Sequence, residues 1–201
     1  MQRLSGYVLA AAVTAAAMLS PVLAVAQTAP PAPAPAAAAA VPAPATPPTS
    51  AAIAAAATVP STKTFIDTAA AANQFEIASN KLALTKTKNK KLLEFARHMV
   101  KDHTRIGKAF VAALKKSNAG ITPPAGLGAD LDAVMARLTS ETGATFEADY
   151  IAVQTKGHQD AVALFAGYAK GGDNPVLQAF AKKTLPTIQM HLDMCYALAA
   201  K

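Results

Sequence analysis

The chain has 201 residues, a formal charge of +7, no Trp and a single Cys. One cysteine excludes an internal disulfide, so no cysteine framework holds the fold together. The length fits one domain with tails, and the abundance of Ala, the best helix former, points to an all-α fold.

The N-terminus carries a targeting pattern. Arg3 precedes an almost wholly apolar or small run from Leu4 to Leu19, and Ala24-Val25-Ala26 fits a small-x-small cleavage site. Residues 1–26 therefore read as a cleaved secretory signal peptide, the apolar run being short for a stable membrane span. No Cys directly follows it, which excludes a lipoprotein anchor. The expected location is the periplasm or the cell envelope, with no transmembrane span after cleavage. Loss of Arg3 takes the charge to +6, which suits contact with an anionic envelope surface. Export, and the lack of any aromatic-plus-basic stacking pattern, argue against a nucleic-acid partner. Oligomeric state is not legible.

From Gln27 to about Pro60 the chain alternates Ala and Pro, as in Pro30-Pro31-Ala32-Pro33-Ala34-Pro35. Such a stretch has too few large apolar groups to offset its ordering entropy, and Pro blocks helix. Residues 27–60 are expected to be a disordered linker, and residues 61–201 the folded domain.

The first long helix is expected from about Lys63 to Thr87, with Ser61 or Thr62 capping it. Phe65, Ala69, Ala72, Glu76, Ser79 and Ala83 share one arc at 100° per residue, which puts Glu76 at the centre of the inward face. The small residues around it leave room for a neighbouring helix or a ligand. A lysine-rich turn around residues 85–91 follows.

The second helix is expected from about Asn89 to Ser117, where Leu92, Ala96, Met99, His103, Ile106, Phe110 and Leu114 form a 3–4 stripe. Glu94, His98, Asp102 and Arg105 fall on its polar side, so His98 reads as a surface residue, while Asp102 could orient a ligand as an acceptor behind it, though adjacency along the helix makes that geometry poor. Asn118-Ala119-Gly120 and Pro123-Pro124 end it. A short amphipathic helix is expected over about Leu127–Thr139.

The next long helix spans about Ala144–Lys170, with Ile151, Gln154, His158, Ala161 and Phe165 in one row, and Gly171-Gly172 stops it. The last runs from Pro175, with Leu177, Phe180, Thr184, Ile188, His191 and Cys195 inward. Pro186 should kink it about a turn before His191.

Four long helices and one short one indicate an all-α, ferritin-like four-helix bundle, with the short helix in a crossover too long for an antiparallel hairpin. In such a bundle Glu76, His103, His158 and His191 all fall near mid-height. Two readings follow. Three imidazoles and a carboxylate can hold one divalent transition metal, Zn, Fe, Mn or Cu. Alternatively Glu76 bonds His103 and His158 in an ion-free polar layer, completed by Asn73, Asn80, Gln154, Tyr150 and Thr187, in a non-enzymatic envelope protein. Cys195, Met190 and Met194 stand near His191 as softer donors but read as packing. A metal-dependent oxidase is a third possibility. No nucleophile–base motif, phosphate loop or dinucleotide fingerprint points to another enzyme class, and no catalytic residue can be named.

The segments Asn73-Gln74-Phe75-Glu76-Ile77-Ala78-Ser79, Phe95-Ala96-Arg97-His98-Met99-Val100-Lys101-Asp102-His103-Thr104, Phe146-Glu147-Ala148-Asp149-Tyr150 and His158-Gln159-Asp160-Ala161-Val162-Ala163-Leu164-Phe165 occur in that order, followed by Leu185-Pro186 and His191-Leu192. This series resembles the DUF4142 family over about residues 63–199. The resemblance implies a ferritin-like bundle and export, with an outer-membrane label that cannot mean a barrel, since no alternating strand pattern is present. The chain departs from the di-iron ferritin pattern. Val100, Thr155 and Ile188 stand three residues before the three histidines, so Glu-x-x-His is missing.

Overall fold

A computed structural model of the chain describes residues 47–200, which contain six α-helices and no strand. They are α1 (Ser50–Ala56), α2 (Thr62–Lys86), α3 (Lys90–Ser117), α4 (Ala129–Ser140), α5 (Gly143–Gly171) and α6 (Pro175–Ala199). The signal peptide expected over residues 1–26, and the linker up to residue 46, lie outside the described residues.

Local chemistry sets the helix ends. Ser61 Oγ accepts from the Thr64 amide at 3.1 Å and opens α2. Asn89 Oδ1 does the same for Lys91 at the start of α3. Asn174 Oδ1 accepts from both Val176 and Leu177 at 3.2 Å, and Pro175 fills the first turn of α6, where its missing donor costs nothing. Asn118 ends α3 in the left-handed region, φ 49°. The last helix runs continuously through Pro186.

The four long helices form a ring in which α2 packs on α3 and α5, and α6 packs on the same two. Short turns make α2/α3 and α5/α6 antiparallel. Asn174 Nδ2 donates to the Ser117 carbonyl, so α3 ends beside the start of α6. Lys86 donates to the carbonyls of Thr139 and Glu141, so the segment carrying α4 ends beside the α2/α3 turn. The connection between α3 and α5 therefore travels the length of the bundle, as its length suggested. None of the described helices is long and apolar enough to cross a membrane.

The core is in two parts. One end is filled by Phe65, Ile66, Phe110, Phe165, Leu177 and Phe180. The other holds Phe75, Leu92, Phe95, Met99, Phe146 and Tyr150. Along α3 the first part reaches Ile106 and the second Met99, and along α6 the first part reaches Leu192 and the second Cys195. His103 falls in the gap on α3 and His191 lies beside Leu192 on α6, so the polar residues gather where the two apolar blocks meet.

One boundary differs from expectation. The Ala-rich tract at the end of the expected linker is helical as α1, capped by Thr49, and it packs on α5 and α6. Tyr196 donates to the Pro48 carbonyl, and Ile53 and Ala54 lie against the apolar core. Behind α1 the backbone runs directly over α5, where a Cβ on Gly167 would stand 1.8 Å from the Thr58 carbonyl oxygen. Low apolar content hid this strap, because its anchors are backbone contacts against glycine and a tyrosine hydroxyl supplied from elsewhere.

Candidate metal centre

His103, His158 and His191 come together from α3, α5 and α6. Their ring centroids form a near-equilateral triangle of 5.6, 5.3 and 5.4 Å. One donor nitrogen from each lies within 4.8 Å of the other two, and all three residues are buried. A point central to such nitrogens is at most about 2.8 Å from each, against ~2.0–2.1 Å for a zinc–imidazole bond, so each ring would close by under about 1 Å.

On every ring one nitrogen is anchored. His103 Nδ1 donates to Asn73 Oδ1 at 3.1 Å, His158 Nδ1 to the Gln154 carbonyl at 2.9 Å, and His191 Nε2 to Asp102 Oδ2 at 3.1 Å. These bonds set the tautomers. The other nitrogen of each ring, Nε2 of His103, Nε2 of His158 and Nδ1 of His191, is buried without a hydrogen-bond partner. A buried unpaired polar atom costs about 1–3 kcal/mol, and three in one layer form a pattern rather than an accident. Anchoring one imidazole nitrogen on an oxygen acceptor while freeing the other is how proteins present histidine to a metal.

The protonation states agree. Burial, then the neighbouring His158 and His191, hold His103 well below the ordinary imidazole value. Burial and His158 bring His191 down to about 4, against the pull of Asp102. Both rings are therefore neutral near pH 7, with lone pairs available.

Glu76 is buried in the same layer but stands outside the triangle. Its Oε2 accepts from Asn80 at 3.0 Å, and its Oε1 is 3.9 Å from His158 Nδ1, the anchored nitrogen. Asn80 in turn accepts from the Tyr150 hydroxyl at 2.6 Å, and Gln154 donates to Ser79. Burial pushes the Glu76 carboxyl above its ordinary value, opposed by His158, Gln154 and Asn80. Cys195 is also on the anchored side, with Sγ 3.8 Å from His158 Nδ1, and burial pushes its thiol up. Met190 is exposed, and Met194 packs in the apolar block. Of the five residues expected to complete the polar layer, Asn73, Asn80, Gln154 and Tyr150 take part, while Thr187 does not enter these bonds.

Asp102, expected on the polar side of α3 and poorly placed there to orient a ligand, instead anchors His191 across the helix interface. It is buried, and besides His191 it accepts from Arg105 at 3.2 Å. His98 Nε2 stands 3.3 Å from Asp102 Oδ2 without hydrogen-bond alignment, its side chain 39% exposed and its ring edge-on to His191 at 5.6 Å. Burial resists ionisation of Asp102, but the His191 hydrogen bond and the charges of His191, His98 and Arg105 hold its carboxyl below the ordinary value. The available signal was its place one step round from His103, which in a ring of four helices faces the next neighbour, α6.

A cavity of about 810 Å³ opens beside the cluster. His103, His158 and Glu76 lie in its wall, and α4 with the segment before it lines one side.

Fold and site together define an all-helical bundle with a buried three-histidine cluster facing a cavity. The chain belongs to the DUF4142 family, described only as a domain of unknown function, which it matches over residues 46–198. That match includes α1, which places the strap inside the family domain. No curated protein and no solved structure matches the chain.

Proposed function

We propose that the protein is an exported, ferritin-like bundle that holds one divalent transition-metal ion on His103, His158 and His191. The observation that carries this reading is the set of three orphaned ring nitrogens in one buried layer, each backed by an anchored partner nitrogen. Coordination removes three unsatisfied groups at once. An all-imidazole set suits Zn, Cu or Fe better than Mn, which prefers carboxylates. Three protein ligands leave a position free, and His103 and His158 also line the cavity, so a small molecule has a route to the ion. The long crossover supports the ferritin-like topology. Export, a periplasmic or envelope location, and contact with an anionic surface rest on the N-terminal pattern and the charge.

The second reading is an ion-free polar layer in an envelope protein without enzymatic activity. It is favoured by the Glu76–Asn80–Tyr150 and Gln154–Ser79 bonds, which close without an ion. It requires Glu76 to bond His103 and His158, and the 3.9 Å gap to His158 is beyond hydrogen-bond reach.

Elemental analysis of the purified protein, before and after incubation with each metal, separates the two. One ion per chain with a higher melting temperature is the expected result. No retained ion and an unchanged melt with Zn, Fe, Mn and Cu would contradict the proposal.

A further inference from the structure

The α2 and α5 faces flanking the histidines are unusually bare. Ala69, Ala72, Gly157 and Ala161 line the cavity there, where larger side chains would fill the bundle. The sequence therefore keeps open a space of about 810 Å³, within the range of small-molecule pockets. Phe110, Phe165 and Phe180 face the same space, so most of what a ligand would touch is carbon. The polar groups gather at one place, Glu76, His103 and His158, where two orphaned ring nitrogens are found. An apolar cavity with a few convergent polar groups is the usual form of a small-molecule site.

The charges along the lining limit the ligand's charge. Asp67, Asp130, Asp149 and Asp160 outnumber Arg137 and Lys156. Arg137 is committed to Asp149 at 2.8 Å, Lys156 to Asp160 and, from outside the lining, Lys63 to Asp67, which leaves Asp130 without an ion pair among the described residues and the balance slightly acidic. A carboxylate-bearing ligand meets repulsion here and has no free cation to pair with among the described lining residues.

We propose that this cavity binds an uncharged, predominantly apolar small molecule, seated with its polar end against Glu76, His103 and His158. The inference rests on the metal reading only for what that polar end would coordinate. The apolar body binds through the cavity itself.

The test uses two measurements on the same protein. In the metal-free form, fluorescence titration with Nile red, a neutral apolar dye, should show one saturable site per chain. The anionic dye 1-anilinonaphthalene-8-sulfonate should bind at least about tenfold more weakly. Ala161→Phe and, separately, Ala72→Leu should weaken Nile red about tenfold or more by occupying its space, with helicity checked by circular dichroism. In the cobalt(II)-loaded form, 4-phenylimidazole should perturb the visible bands at about one-tenth the concentration that imidazole needs. No saturable Nile red binding, binding unaffected by both substitutions, or tighter binding of the anionic dye would overturn the inference. Equal potency of the two imidazoles at a loaded metal would overturn it while leaving the metal reading intact. Failure to load cobalt, with Nile red binding as expected, would remove the metal reading and leave the cavity site standing.

Discussion

His191 Nε2 donates to Asp102 Oδ2 at 3.1 Å across the α3/α6 interface, which leaves Nδ1 as the unpartnered nitrogen of a ring whose centroid lies 5.3 and 5.4 Å from those of His103 and His158. The carboxylate thus selects the tautomer and the ring orientation, and it raises the basicity of the nitrogen that would bind an ion. Asp102→Ala should lower metal affinity by ~10–100-fold. Competition against a chromophoric chelator gives the number. Arg105→Ala, which removes a mostly exposed partner of the same carboxylate, should leave affinity within about threefold. Equal losses in the two variants would mean that Asp102 acts through general charge rather than through His191.

Gly107 sets a second anchor, that of His103. A Cβ there would stand 2.8 Å from Asn73 Nδ2, and Asn73 Oδ1 is the acceptor for His103 Nδ1. Gly107→Ala should displace the Asn73 amide and weaken metal binding about tenfold. Stability should change little, because the ~1 kcal/mol helix gain of Ala over Gly offsets a lost hydrogen bond of similar size. Adding Asn73→Ala to Gly107→Ala should cost no further affinity, since both remove one interaction. Additive losses would refute this coupling.

The metal-free protein should lose stability in mild acid. Folding holds His191 at about 4 and His103 well below 6.5, the ordinary imidazole value. Below pH 6.5 the unfolded chain takes up protons that the folded one refuses, so stability is full above that pH and falls as pH drops towards about 4. Glu76 acts oppositely, because its raised value makes the folded carboxyl retain a proton that the unfolded one releases above 4.5. Two histidines oppose one glutamate, so the net trend is loss towards acid. Urea unfolding at pH 7, 6 and 5 should show it, with a shallower slope in His191→Gln. A flat profile would mean that the rings are not buried neutral.

Gly167 should prove necessary to the strap. No side chain fits between α5 and the Thr58 carbonyl, so Gly167→Ala should lift residues 57–61 off the bundle. Limited proteolysis read by mass spectrometry should show faster cleavage before α2, with unchanged metal stoichiometry. Cleavage no faster than in the parent protein would place the strap's anchorage elsewhere, at Tyr196.

Much of this architecture was readable because the physics is periodic. Leu92, Met99, His103, Ile106 and Phe110 recur at helical spacing, and that stripe is the buried face of α3. The same regularity put His103, His158 and His191 at one height. Partner choice within the layer was not readable. Glu76 was correctly placed inward, but its bond to Asn80, one turn along its own helix, depends on side-chain rotamers that no spacing rule supplies. Asp102 was assigned to the polar side because its neighbours on α3 are charged, whereas its burial comes from α6 packing over it. The strap was hidden for a different reason. Its stability is lent by Gly167, Gly171 and Tyr196, residues more than a hundred positions away.

The most direct test of a three-histidine centre is X-ray absorption at the K-edge of the zinc-loaded protein. The account predicts a first shell containing three imidazole nitrogens at ~2.0–2.1 Å, with the outer-ring scattering of histidine and no sulfur. That signal should fall to two imidazoles in His158→Ala. A shell of oxygens alone, a sulfur from Cys195, or no change in that variant would contradict it.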